Sequence, residues 1–309
     1  MKDHHKSRMN LNKILNSSQS GRLALRIAQL LPPRVGFPLG RSIADWVATR
    51  RDLPMVAAIR TNQWVISGGE LKSEGLDEIA RNTIRSIAYS MYFMYHNWNN
   101  YSALEKKIEY SPEVEVLIER SRASEEGTMI VMVHSTNFDV ALRASSMRGL
   151  KGLVLSLPEA NQAVEWQHSL RESGEVEIKP ATLAVLREAT ERLKSGGTVL
   201  TGVDRPMPES KYKPLFFGRP TALPVHYIYL AIKTGVPVSM VTAIRDENGV
   251  YRVIASDLVK MKPHHDRKTE ILQNAETILN IAEDFIRQAL DQWAVIQPLW
   301  PEETQKTPS

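Results

Sequence analysis

The stretch Thr128-Met-Ile-Val-Met-Val-His134-Ser-Thr-Asn-Phe-Asp139 decides the fold of this chain. Its apolar half, residues 128–133, predicts a buried β-strand. The short polar residues at 135–137 suit a turn and a helix N-cap. Val140, Ala141 and Leu142 then begin a predicted helix. The stretch therefore predicts a strand–turn–helix unit of an α/β fold.

His134 ends the predicted strand, and the carboxylate of Asp139 follows five positions later. On one continuous helix this separation would turn the two side chains apart. Across a strand, a turn and a first helical turn, Asp139 can fold back toward the imidazole, fix its tautomer and stabilise the imidazolium. The spacing fits a general base acting on a substrate hydroxyl. The alternative is that His134 simply ends the strand and that Asp139 lies in the first turn of the helix, where the helix dipole favours an acid.

The composition limits the classes of protein to which the chain can belong. Its 309 residues can form one large domain, or one domain with a helical extension, and 42% of them are hydrophobic. The absence of Cys excludes disulfides, zinc-thiolate sites and cysteine nucleophiles, and fits a reducing cytoplasm. No apolar run approaches the roughly 18–20 residues of a membrane span, and we expect no signal peptide.

Positive charge is concentrated in residues 1–41. This segment carries eight basic residues against one acid, Asp3, within a chain of net charge +4. Apolar residues recur in it at helical spacing, as Leu11, Ile14 and Leu15 and then as Leu23, Ile27, Leu30 and Leu31. Such a segment favours an anionic membrane surface. A helix that packs its apolar side on the core has the same pattern. Nucleic acid is not predicted, because no binding motif is present and the charge is local.

Hydrophobic periodicity divides the chain into four parts: a basic amphipathic segment (1–41), a helical part (42–125), an α/β core (126–301) and a disordered tail (302–309). Alternating strands and helices in the core predict a mixed, largely parallel sheet behind a helical N-terminal portion. The predicted strands are 128–133, 152–156, 176–179, 198–203, 237–244 and 250–256. The predicted helices are 112–123, 138–147, 161–173, 181–195, 224–234 and 268–292.

Two further motifs follow predicted strands of the core. Asp204 and Arg205 come directly after the strand at 198–203. Because ligand sites gather beyond the carboxyl ends of parallel strands, Asp204 and His134 can face one crevice. The second motif is Leu215-Phe-Phe-Gly-Arg-Pro220, whose two phenylalanines can wall an apolar groove with Arg219 at its mouth. Core packing and a turn explain that motif as well.

Together and in this order, these motifs resemble the acyltransferase family of lipid A biosynthesis, which also includes the phosphatidylinositol mannoside acyltransferases. The resemblance covers roughly residues 20–301. Its motifs are His134 with Asp139, Arg171 ahead of Gly174, Asp204, Phe216-Phe217-Gly218, Gly235-Val-Pro237-Val, the helix motif Arg60-Thr-Asn62, and the closing segment from Gln292-Trp293 to Trp300. The chain departs from the family pattern at Leu290-Asp291 and Pro298-Leu299. It also lacks the N-terminal transmembrane helix that lipid A enzymes often carry, which favours a peripheral enzyme acting on another glycolipid or a phospholipid.

The resemblance implies an O-acyltransferase with a glycerolipid acyltransferase-like αβα core. Its co-substrate would be acyl-CoA or acyl carrier protein, with no cofactor and no metal. The acceptor would be a lipid or glycolipid hydroxyl, deprotonated by His134 without an acyl-enzyme. The enzyme would sit peripherally on the cytoplasmic face of the inner (plasma) membrane. Either Asp139 or Asp204 would orient His134, and Arg171 or backbone N–H groups after Phe216-Phe217-Gly218 would bind the oxyanion.

Substrate contacts are expected from a wider set of residues. Arginines would bind phosphate groups, and the two phenylalanines, with Met129 and Met132 nearby, would shape an acyl tunnel. The expected substrate-binding residues are Asn137, Arg171, Arg205, Phe216, Phe217, Gly218 and Arg219. Two rival functions remain open: a thioester hydrolase that uses the same histidine with water, and an inactive membrane-peripheral lipid-binding scaffold that would tolerate loss of His134.

Overall fold

The structure is a computed structural model that describes residues 18–156, 162–172 and 175–308. The predicted apolar residues Leu11, Ile14 and Leu15 and the motif residue Gly174 lie outside this range. No helix in the described part of the chain is both long enough and apolar enough to cross a lipid bilayer.

From residue 18 onward, five helices precede the sheet: α1 (Ser18–Leu30), α2 (Pro33–Ala48), α3 (Pro54–Ile66), α4 (Ser73–His96) and α5 (Tyr101–Glu105). Proline occupies the first turn of α2 and α3, where its missing N–H leaves no helical hydrogen bond unmade. Helix α2 lies close against α4 at Gly36, where an added Cβ would stand 2.1 Å from the ring of Tyr92. These helices confirm the predicted helical character of the N-terminal part.

The central sheet has seven strands: β1 (Ile108–Tyr110), β2 (Thr128–Met132), β3 (Gly152–Ser156), β4 (Val176–Pro180), β5 (Thr198–Gly202), β8 (Val238–Arg245) and β9 (Tyr251–Ala255). Their order across the sheet is β1-β9-β8-β2-β5-β3-β4. All neighbours run parallel except β8 and β9. The predicted mixed, largely parallel sheet is confirmed. A separate two-stranded hairpin joins β6 (Leu215–Phe216) and β7 (Arg219–Pro220).

Helices cover both faces of the sheet. On one face lie α6 (Pro112–Ala123) and α7 (Phe138–Met147); on the other lie α9 (Leu183–Lys194), α10 (His226–Thr234) and α11 (Arg267–Arg287). Helix α8 (Gln162–Arg171) packs near α1 and β4. Alternation along β2 sends Met129 and Val131 into the α9–α11 layer and Ile130 into the α6–α7 layer. The strand is therefore apolar on both sides, as its sequence indicates.

Several elements differ from the sequence predictions, among them the following three. Strand β1 was not predicted, because its three residues are too few for a period to show. The helix predicted at 268–292 ends at Arg287, and a short 3-10 helix follows at Leu290–Gln292. The predicted disordered tail is instead packed on the body: Glu303 is buried and pairs with Arg219 at 2.7 Å. A partner distant in sequence thus orders a segment whose composition is typical of disorder.

Candidate active site

His134 and Asp204 meet at the carboxyl ends of two adjacent parallel strands. Strand β2 pairs with β5 in a register that sets Met132 opposite Gly202, so each polar residue follows its strand by two positions. The Asp204 Oδ1 atom lies 2.5 Å from Nδ1 of His134, and Oδ2 accepts the His134 backbone N–H at 2.9 Å. Because a buried carboxylate only accepts hydrogen bonds, Nδ1 carries the proton and Nε2 is the basic nitrogen.

Gly202 leaves the space that the imidazole occupies. A Cβ built on this residue would stand 2.4 Å from Cε1 of His134 and 3.1 Å from Nε2. Real Cβ atoms do not approach a ring carbon so closely, since van der Waals contact begins near about 3.5 Å. The last residue of β5 therefore has to be glycine for the ring to lie over the strand end.

Trp293 supplies the third hydrogen bond to the carboxylate. Its indole Nε1 donates to Oδ2 of Asp204 at 2.8 Å, and the next backbone N–H, that of Ala294, donates to the His134 carbonyl at 2.7 Å. The closing segment of the chain thus holds both members of the pair. The sequence marked Gln292-Trp293 as a family motif but assigned it no role; a tryptophan needs a partner for its N–H when buried, and that was the available signal.

The Phe216-Phe217-Gly218-Arg219 motif lies behind the carboxylate rather than in the cavity. Phe216 is fully buried, and its ring packs against Trp293 and Trp300. Phe217 adopts a positive φ, packs on Trp293, and donates its backbone N–H to Glu283. The prediction that the two phenylalanines wall an acyl groove is therefore corrected, since neither lines the cavity in front of His134. The oxyanion site at backbone N–H groups after the motif stays a prediction. The motif supports the indole that holds Asp204, while Arg219 pairs with Glu303.

Asp139 does not contact His134. Both carboxylate oxygens accept from the guanidinium of Arg171, Oδ1 from Nε at 2.5 Å and Oδ2 from Nη2 at 3.1 Å. The same guanidinium lies over the ring of Phe138. Of the two candidates left open by the sequence, Asp204 is the carboxylate that orients His134. Asp139 orients an arginine instead.

Asn137 is buried in the loop that follows His134 and is not among the residues that line the cavity. Its Oδ1 accepts from Ser90 at 2.7 Å, and its Nδ2 donates to Gln292 Oε1 at 2.6 Å. The predicted substrate contact of Asn137 is therefore corrected to a positioning role, in which it ties helix α4 and the closing segment to the loop. Its side chain makes no capping bond to α7, although it occupies the N-cap position.

Burial sets the charge of the pair. Desolvation lowers the pKa of the His134 imidazole against the opposing attraction of Asp204, and the nearby Arg205 lowers it further. Burial alone would raise the pKa of Asp204, but the charge of His134 and the three N–H donors lower it. The pair is therefore a neutral imidazole beside a carboxylate at neutral pH, the protonation state that a general base requires.

A cavity of about 160 Å³ opens in front of His134. Its described lining carries three guanidinium groups, those of Arg143, Arg171 and Arg205, against one carboxylate, Asp139. Arg143 lies over the ring of Trp98 at 3.6 Å, and burial lowers its pKa. The sequence missed Arg143, although its place one helical turn after Asp139 on α7 was a usable signal. The excess of positive charge fits an anionic group on a substrate.

An apolar cavity of about 50 Å³ lies behind the first, between the sheet and helices α6 and α7. Phe138 borders both cavities, and Met132 borders the apolar one. Met129 instead packs in the core on the other side of the sheet. In the described residues no group of three or more His, Asp or Glu side chains is placed to hold a metal ion.

Comparison with known protein families identifies the family to which the chain belongs. The family described as bacterial lipid A biosynthesis acyltransferase matches residues 13–302. The chain belongs to this family. It is therefore an acyltransferase, and the family implies an acyl donor and a lipid acceptor.

Among solved structures, the acyltransferase is similar to the 1-acyl-sn-glycerophosphate (LPA) acyltransferase of Thermotoga maritima. The two share 14% sequence identity with a TM-score of 0.34, over 80% of this chain and 98% of the other. No curated protein sequence matches the acyltransferase significantly.

Proposed function

We propose that the acyltransferase transfers a fatty acyl group from acyl-CoA or acyl carrier protein to a hydroxyl of a glycolipid or phospholipid at the membrane surface, with His134 as the general base. The observation that carries the proposal is the pairing of His134 with Asp204. The pairing fixes the proton on Nδ1 and leaves Nε2 as the basic nitrogen. His134 lines the cavity, and its Nε2 has no hydrogen-bond partner among the described residues.

In the proposed reaction Nε2 of His134 takes the proton of the acceptor hydroxyl as its oxygen attacks the thioester carbonyl. Asp204 stabilises the imidazolium that forms. The tetrahedral intermediate then expels the thiolate, which receives the proton from the imidazolium. The products are an ester and a free thiol. No acyl-enzyme is needed, in keeping with a chain that contains no Cys.

The arginines of the cavity support the same chemistry. Arg171 is held by two hydrogen bonds to Asp139, so its guanidinium is fixed before substrate arrives. A preorganised cation stabilises a developing oxyanion more than a mobile one does. Arg205, which forms no ion pair with another described residue, is suited to a phosphate of donor or acceptor.

Association of the enzyme with a membrane surface is supported by the exposed apolar residues of helix α1. On α1 the side chains of Leu23, Ile27 and Leu30 are exposed, Leu30 by 83%. These three side chains are therefore not packed on the core, whereas Leu31 of the same predicted set packs against it. Exposed apolar residues interleaved with Arg22 and Arg26 are typical of a helix lying on an anionic bilayer. We place the enzyme peripherally on the cytoplasmic face of the inner membrane.

The test compares the full chain with His134→Ala and with a control, His265→Ala, whose histidine is exposed and far from the site. Each protein is incubated with palmitoyl-CoA or palmitoyl-acyl carrier protein and a total bacterial lipid extract, and products are followed by mass spectrometry. We expect a new acylated lipid with wild type and the control only. Release of free fatty acid alone, dependent on His134, would instead make the protein a thioester hydrolase. Equal activity of His134→Ala would overturn the proposal.

A further inference from the structure

A second polar groove lies outside the active site, between helices α2 and α4 and the end of β8. Its volume is about 550 Å³, within the range of about 300–1,000 Å³ that is usual for ligand pockets. Three arginines line it, one from each element: Arg41, Arg85 and Arg245. Asn82 and Ser86 add polar groups from α4. The groove has more space than the catalytic cavity, and the proposed reaction does not use it.

The charges of the groove leave an excess of positive groups. Arg85 is held by a two-point ion pair with Asp45, whose carboxylate is thereby occupied. Asp291 also lines the groove and is the one acid among the described lining residues. The guanidinium of Arg245 lies over the ring of Tyr89 at 3.9 Å, so its edge rather than its face is presented to a ligand.

One of the arginines that line the groove carries a nitrogen with an unmet hydrogen-bonding requirement. The Nε atom of Arg245 is buried and has no hydrogen-bond partner among the described residues. A buried charged donor without a partner is destabilising, so such groups are usually found bonded to protein, water or ligand. The guanidinium groups of Arg41 and Arg245 line the groove, and guanidinium groups bind phosphate oxygens in pairs. The groove therefore has both the charge and the donor that a phosphate requires.

Helix α2 places this groove beside a surface that fits a bilayer. Val35, Leu39, Ile43 and Trp46 recur at intervals of three and four and form one exposed apolar stripe, with Trp46 exposed by 61%. The adjoining side of the helix carries Arg34, Pro38, Arg41 and Asp45 at the same spacing, and residues 38 and 41 line the groove. If the stripe enters the lipid, the groove stands at the depth of the headgroups.

We propose that this groove binds the phosphate of an anionic phospholipid, with Arg41 and Arg245 as its principal contacts. The inference rests on the proposed membrane association and adds a specific lipid site to it. A lipid headgroup, rather than free phosphate, is the occupant because the groove adjoins the exposed apolar stripe of α2. The site is separate from the catalytic cavity and needs no catalytic residue.

The first experiment measures binding of short-chain lipids to the full chain by calorimetry. The ligands are dihexanoyl phosphatidylglycerol and dihexanoyl phosphatidylcholine below their micelle concentrations, and inorganic phosphate. Wild type should bind one phosphatidylglycerol. Binding should weaken about fivefold or more in Arg41→Gln and in Arg245→Gln, an effect expected of one arginine near an anionic group. The control is Arg34→Gln, which removes the same charge from α2 outside the groove and should leave this binding unchanged.

Either of two other outcomes would overturn the inference. Equal loss in Arg34→Gln would show general surface attraction rather than a site. Inorganic phosphate binding as tightly as phosphatidylglycerol would assign the groove to a soluble anion. Because Arg245 packs on Tyr89 and its replacement can perturb folding, the exposed Arg41 provides the second variant.

Vesicle flotation separates this inference from the proposed membrane association. Vesicles of phosphatidylcholine with and without phosphatidylglycerol are mixed with wild type, Arg41→Gln and Arg245→Gln. Wild-type binding that both variants match would refute the groove and leave the membrane association standing. Failure of wild type to bind either vesicle would refute the membrane association itself. Acyl transfer by wild type and by Arg41→Gln, measured on a dispersed lipid, reports the catalytic proposal independently of both.

Discussion

Replacing Gly202 with alanine tests whether the imidazole must lie over the end of β5. Gly202 belongs to a regular strand and has no positive φ, so alanine can adopt its backbone. The new methyl carbon would stand 2.4 Å from Cε1 of His134. Ordinary contact between carbons begins at about 3.5 Å, so the ring has to retreat by roughly 1 Å.

That retreat acts on the hydrogen bond to Asp204. The Nδ1–Oδ1 distance is 2.5 Å, and a further 1 Å or so would take it beyond the range of a good hydrogen bond. A misplacement of roughly 1 Å in a catalytic group can lower the rate about 100-fold, equivalent to about 2.7 kcal/mol of barrier. We therefore expect kcat/KM of Gly202→Ala to fall about 100-fold while the protein stays folded.

The assay follows thiol release from palmitoyl-CoA with a thiol-reactive dye in the presence of acceptor lipid. The protein contributes no background, because it contains no Cys. Gly152→Ala is the matched control: its methyl would stand 2.5 Å from Leu200 in the same sheet and would lower stability without touching His134. The reasoning is refuted if folded Gly202→Ala keeps kcat/KM within about threefold of wild type, or if Gly152→Ala loses as much.

Three further predictions concern protons. Trp293→Phe removes a hydrogen-bond donor from the buried Asp204 carboxylate. The variant should raise the pKa of His134 and so shift the acid limb of the kcat/KM profile to higher pH. It should also lower kcat/KM by about tenfold or more, as expected for the loss of a hydrogen bond to a charged group. Arg205 lowers the pKa of His134, so Arg205→Gln should also move the acid limb to higher pH in a pH–rate profile. Burial lowers the pKa of His226 to about 4, so the unfolded chain takes up the proton first as pH falls from 6.5. Wild type should therefore lose about 2 kcal/mol of unfolding free energy between pH 7 and pH 5 at this residue, and His226→Gln should not, as measured by urea unfolding.

The first two of these predictions have controls within the chain. Trp300→Phe removes an equally buried indole donor, bonded to Thr221 at 2.8 Å, and should leave the pH–rate profile in place. Arg187→Gln removes an exposed arginine from α9 and should not move the acid limb. An unchanged profile in both Trp293→Phe and Arg205→Gln would contradict the assignment of the acid limb to His134.

Much of the fold could be predicted from the sequence because its patterns are local. The helix at 138–147 and the strand at 152–156 match their observed bounds. Apolar runs bounded by Gly mark the strands, and 3.6-residue periodicity marks the helices. The partner of His134 could not be chosen this way. Asp139 is five residues away and Asp204 seventy, and only the adjacency of β2 and β5 brings the distant one into contact.

The role of the Phe216-Phe217 motif could not be predicted from the sequence for a related reason. A pair of phenylalanines has the same pattern whether it walls a cavity or fills a core. The hairpin of β6 and β7 turns Phe216 inward against Trp293 and Trp300, and the residue that then matters to the site is Trp293. Arg143 was missed because an arginine on a helix is usually a surface group, and only its position over Trp98 beside the cavity distinguishes it.

The closing segment links the His134–Asp204 pair to the helical N-terminal part. Asn62 on α3 binds this segment at three backbone groups: it donates to the carbonyls of Val295 and Gln297 and accepts from the N–H of Leu299. Trp293 lies two residues before the first of these and holds Asp204. A single neutral hydrogen bond contributes only about 1 kcal/mol, but three from one buried side chain fix the path of the segment and hence the position of the indole. Asn62 of the Arg-x-Asn motif therefore acts on the His134–Asp204 pair from a distance, through the segment that it clamps.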